Sequence, residues 1–142
     1  SGIVKDPITI APGMKVRDST MAISVVNPVL TYTNTSAIDV QNALGNIEIT
    51  DGTIDHQQVT NVASPPPAVA AANSVIDWSF VRFDSQGASN ALFLGAIQGG
   101  VSIGQDGPAG AGGTIANTTD DAVLLAFAGN VFLNNLRIEK NK

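Results

Sequence analysis

The sequence predicts an all-β fold, a single-domain antiparallel β-sandwich or jelly roll of about eight to ten short strands with at most one short helix. Three observations predict it. Short runs alternating with period two, rich in Val, Ile, Thr and aromatic residues, recur along the chain. Gly, Pro and Asn separate those runs in the manner of turns. Helical periodicity is scarce.

Taken in order, the first run is Ile8 to Ile10, inside an extended N-terminal arm over residues 1–12 that precedes the sandwich at 13–142. Met21 to Val26 and Val29 to Thr33 follow. The one helix candidate covers residues 36–44, where Ser36 with Asp39 resembles a capping box and Gly45 stands at the C-terminal cap position. Ile47 to Thr50 and Thr53 to Val59 flank Asp51-Gly52, a two-residue hairpin signal. Residues 64–73 open on Ser64-Pro65-Pro66-Pro67 and read as a stiff connector, because each residue before a proline is held extended.

The clearest strand is Val75 to Phe83. Ile76, Trp78 and Phe80 share one face, which the only Trp marks as the core side. Ala91 to Ile97 and Val101 to Ile103 precede the glycine-rich segment 104–113. There glycine stands at 104, 107, 110 and 113, the collagen period. Three triplets are too few to hold a triple helix, and a flexible loop is the ordinary reading. If the period matters, it points to a trimer. Val123 to Phe127 and Val131 to Ile138 complete the set, with Gly129-Asn130 as a second hairpin signal.

Charge narrows the function. The 142 residues carry 12 acidic and 7 basic groups, a net charge of -5. Charged residues make up 13% of the chain, against about 25% in ordinary soluble proteins. So few cations cannot neutralise a phosphate backbone, which argues against nucleic-acid binding. No cysteine is present, so thiolate metal sites and disulfides are excluded. No signal peptide or membrane-spanning run is visible.

The search for chemistry finds no catalytic, cofactor-binding or metal-binding set, and the sequence predicts no enzyme and no cofactor. His56 is the sole histidine and reads as an exposed strand residue beside Asp55. No Gly-x-Ser-x-Gly elbow surrounds any serine. Glu48 and Glu139 are the only glutamates, and no pair of carboxylates is evident. Asp51, Asp55, Asp106, Asp120 and Asp121 lack a calcium-loop spacing. A lectin platform is poorly supplied, with Trp78 in the core and Tyr32 the only tyrosine.

Assembly is the function this composition favours, since charge is depleted at interface cores and lysines that would guard strand edges are missing from the middle. Interface candidates are Ile3, Val4, Lys5, Ile8 and Ile10 in the arm, with the cations Lys15, Arg17, Arg137 and Lys140 near the two ends. The expected role is a homo-oligomer on a virion surface, decorating or cementing a capsid shell. The alternative is a secreted filament or surface-layer subunit that polymerises by donating its N-terminal strand. A small-ligand-binding β module is the third reading, with His56, Asp51 and Asp55 as its candidates.

Overall fold

A computed structural model of the chain describes residues 2–4 and 13–141. The described residues form strands and no helix: β1 (Gly2–Val4), β2 (Met14–Arg17), β3 (Ile23–Val26), β4 (Val29–Thr33), β5 (Ile38–Gln41) and β6 (Ile47–Gln57). They continue as β7 (Val69–Gln86), β8 (Leu92–Gly104), β9 (Thr114–Ala116), β10 (Val123–Ala126), β11 (Asn130–Asn134) and β12 (Arg137–Glu139). All belong to one strongly curled sheet of 12 strands.

Every pairing in that sheet is parallel, so the antiparallel sandwich and the jelly roll are both wrong. The registers arrange the strands as the coils of a solenoid with three faces. Met14, Ile38, Val69, Leu92 and Val123 stand in one ladder on the first face. Ile23, Ile47 and Ile76 begin the second, which ends with Val101 beside Val131. Tyr32, His56, Ser85, Ile115 and Ile138 form the third. A parallel strand needs a long crossover, usually a helix. Here the crossover is one full turn of the coil, and the outer surface needs no helical cover.

Alternation identified the buried side of the clearest run up to Phe80. Ile76, Trp78 and Phe80 are buried as expected, and Trp78 meets Phe80 edge to face with centroids 6.1 Å apart. Phe83, expected on the opposite face, is also buried and packs against Phe80 at 5.8 Å. β7 turns a corner between these residues, which shifts the phase of its burial pattern by one.

Corners explain the asparagines. At the first corner Asp18, Asn42, Asn73, Ala96 and Phe127 all have left-handed backbone, with φ between 48° and 57°. Asn27, Asp51 and Asn135 do the same at the second corner, and Asn34, Asn117 and Lys140 at the third. Asn and Asp tolerate this region better than other residues with a side chain. The Asn42 amide also donates to the Asp18 carboxylate one coil earlier, at 2.9 Å.

Three local expectations fail for the same reason. Residues 36–44 form no helix: Ile38 and Val40 point inward from β5, and the Ser36 hydroxyl donates to the Pro67 carbonyl at 2.6 Å. Asp51-Gly52 is no hairpin but a corner within β6. A Cβ on Gly52 would lie 2.9 Å from Phe80 Cδ1. Gly129-Asn130 is likewise a corner, since β10 and β11 both pair with β8 and not with each other. In the glycine-rich loop, residues 104, 107, 110 and 113 all have positive φ, from 86° to 150°. Collagen geometry needs φ near about −75°, so the period reflects left-handed turns.

Candidate functional site

Two features of the described residues stand out against this regular frame: the last coil and a hollow on the second face. The first four coils bury their inward residues almost completely, from Met14 and Leu30 through Ile103 and Ile115. The last coil does not. Leu125, Leu133 and Ile138 continue the inward ladders of Leu94, Ile103 and Ile115, yet they are 45%, 43% and 49% exposed. Phe127 at the adjoining corner is 92% exposed and holds a left-handed φ of 57°. Among the described residues, β10, β11 and β12 also pair on one side only. Among the described residues this last coil is apolar, and its strands have no partner on their outer side.

The hollow lies on the outer side of the second face and has a volume of about 600 Å³. Asp77, Gly100 and Asn130 stand side by side in one outward column, and Ser79, Ser102 and Phe132 in the next. Gly100 supplies the gap. A Cβ there would come within 2.9 Å of the Asn130 carbonyl oxygen, and any longer side chain would project between Asp77 and Asn130. Phe132 is 68% exposed because it points outward, not because the last coil is open. The side chains of Asp77, Ser102 and Asn130 make no hydrogen bond among the described residues. Glu48 opposes Asp77 on the neighbouring strand and accepts from the Ser24 hydroxyl at 3.1 Å.

The residues expected to matter are scattered. Ile3 and Val4 lie in β1, which pairs with β3; Lys5, Ile8 and Ile10 fall outside the described residues. Lys15 and Arg17 are on the first coil, and Arg137 and Lys140 on the last. The two groups are separated by four inter-strand steps, about 19 Å. Arg17 is engaged with Asp39, and Arg137 with Glu139 at 3.1 Å. The four cations therefore form no common patch.

His56 is corrected most sharply. It is buried inside the solenoid, below Tyr32, with Nδ1 3.5 Å from the Ser85 hydroxyl. Burial pushes its pKa down, opposed more weakly by the Thr35 backbone and the Asp55 carboxylate. Burial likewise raises the Tyr32 phenol, against the backbone of Gly13. Asp51 is exposed at a corner, so it does not join His56 in a site. No group of three or more histidine, aspartate or glutamate side chains could hold a metal among the described residues.

Phe132, Asp77 and Gly100 were missed because they come together only through register. Asp77 alternates with the buried Ile76 and Trp78, but nothing local in the sequence links it to positions 100 and 130. Comparison with known protein families, curated proteins and solved structures finds no match to the chain.

Proposed function

We propose that this protein is a structural assembly module that grows by stacking coil on coil with further copies of itself. The observation that carries the reading is the apolar last coil, whose inward residues Leu125, Leu133 and Ile138 lack the cover that every earlier coil receives. Burying three half-exposed aliphatic side chains is favourable at about 25 cal/mol per Å² of apolar surface.

Polarity argues for a second copy as the occupant. A parallel edge accepts a strand running the same way, and the opposite end of this chain offers one on each face. β1, β2 and β4 each pair on one side only among the described residues. The edge of β1 in one copy would extend the second-face ladder from β11 in its neighbour. β2 and β4 lie one strand further back, because β1 already covers β3 of their coil, so the first contact falls on the second face. Such a head-to-tail contact does not close on itself, so it generates filaments. That favours the filament or surface-layer role over capsid decoration, and it assigns the N-terminal strand a part in the contact.

Sedimentation velocity across the micromolar range, with electron microscopy of the sample, tests the proposal. The protein should form concentration-dependent oligomers of regular width. Leu125→Asp with Leu133→Asp should leave a folded monomer, checked by its β-sheet circular dichroism. A strictly monomeric wild-type protein, or a double variant that assembles unchanged, would overturn it.

A further inference from the structure

We infer that the hollow on the second face is a binding site for a neutral carbohydrate chain. Asp77, Ser102 and Phe132 point away from the solenoid axis, so the hollow is distinct from the inward residues on which stacking depends, although β11 of the last coil carries Asn130 and Phe132. Three properties specify the ligand.

The first is size and shape. A volume of about 600 Å³ falls within the range of small-ligand sites, and the floor is strand backbone fixed by the ladders of β7, β8 and β11. Such a floor is rigid, so the polar groups around it are held in place before a ligand arrives. Gly99 and Gly100 keep the floor low. Gly99 is required by the backbone itself, since it has a φ of 101° and a Cβ there would collide with the Ile76 carbonyl. The φ of Gly100 imposes no such requirement, and its missing side chain is what opens the space between Asp77 and Asn130.

The second is hydrogen-bonding chemistry. Asp77 offers a carboxylate acceptor, Asn130 an amide with both donor and acceptor, and Ser102 a hydroxyl. These three have no partner among the described residues, so they lose no internal hydrogen bond when a ligand binds. Ser79, by contrast, already accepts from the Asp51 backbone N–H at 2.9 Å. Mixed donors and acceptors at fixed spacing match vicinal hydroxyl groups, which act as both.

The third is the exposed ring of Phe132 at the edge of the hollow. An aromatic face packs against the C–H face of a sugar ring, while the sugar's hydroxyls reach the polar floor. Charge then decides among carbohydrates. Asp77 and its neighbour Glu48 are acidic, and no lysine or arginine lines the hollow. A polyanionic polysaccharide is repelled, and a neutral one is accepted.

The test uses isothermal titration with the full chain and neutral hexasaccharides of glucose (α- and β-linked), N-acetylglucosamine and mannose, with polygalacturonate as the anionic control. At least one neutral hexasaccharide should bind, and Phe132→Ala and Asp77→Ala should each weaken it roughly tenfold. Phe132→Trp should retain binding, which separates loss of the ring from loss of the fold. Ser102→Leu should abolish binding by filling the hollow while leaving the circular dichroism unchanged. Three results would overturn the inference: no heat with any neutral probe, preference for polygalacturonate, or binding that survives both alanine substitutions. The oligomeric state of each variant is measured in parallel, so a failure of stacking and a failure of this site are told apart.

Discussion

The Ser85 hydroxyl lies 3.5 Å from Nδ1 of His56, and both side chains are enclosed within the solenoid. This places a titratable ring in an apolar interior, where the neutral form is favoured and the charged form is not. The unfolded chain protonates His56 near its ordinary value of 6.5, while the folded chain resists until lower pH. Between those values the unfolded state binds the extra proton, so acid favours unfolding. Stability should therefore be full above about pH 6.5 and fall as the pH drops below it. Thermal melts from neutral to mildly acidic pH check this. His56→Leu should flatten that part of the profile, and an identical slope in wild type and variant would contradict the assignment.

Gly52 sits against the ring of Phe80, where an added methyl would lie 2.9 Å from Cδ1 and 3.2 Å from Cγ2 of Ile49. Both neighbours are buried and cannot move freely. Gly52→Ala should cost about 1–3 kcal/mol by overpacking, read from urea unfolding. A neutral result would mean that the corner in β6 yields easily.

Arg82 and Asp84 form an exposed ion pair at 2.6 Å, yet the two residues are not equivalent. The Asp84 carboxylate also accepts from the Thr114 backbone N–H at 2.9 Å, at the start of β9. Arg82→Ala should cost at most about 1 kcal/mol, as exposed pairs do. Asp84→Ala strands a part-buried donor and should cost about 1–3 kcal/mol. Equal losses in the two variants would show that the Thr114 contact contributes nothing.

Phe127 holds left-handed backbone at a corner where the equivalent positions are Asp18, Asn42, Asn73 and Ala96. A bulky residue there is strained by roughly 1–2 kcal/mol, which glycine relieves in part. Phe127→Gly should raise the melting temperature of the isolated monomer and weaken self-association, since the ring belongs to the exposed end. Sedimentation and melting of the same sample separate the two effects. Lower stability together with unchanged assembly would contradict the role given to this end.

Much of the secondary structure was legible in the residues. The run Val29 to Thr33 coincides with β4, and the buried side of Ile76, Trp78 and Phe80 follows from alternation. The Ala-rich start of β7 falls within the expected connector 64–73, because it follows three prolines and small residues give a weak strand signal. Ser36, Asp39 and Gly45 mimic helix caps around β5, although Ile38 and Val40 already alternate. The coil period was obscured by two insertions, one between Gln57 and Val69 and one between Gly104 and Thr114.

By itself the sequence determined that the chain is built of strands, that Ile76, Trp78 and Phe80 form the buried side of one of them, and that cations are few. These are local properties: alternation reports which face is dry, and composition reports charge. Only the tertiary structure decided that the strands are parallel, because a dry inner face produces the same alternation in a sandwich and in a solenoid. It also decided what the asparagines do. A surplus of uncharged polar residues read as an assembly surface, but many of them turn corners in left-handed backbone. Likewise Asp77, Gly100 and Phe132 are neighbours only because successive coils stack in register, a relationship that no local pattern encodes.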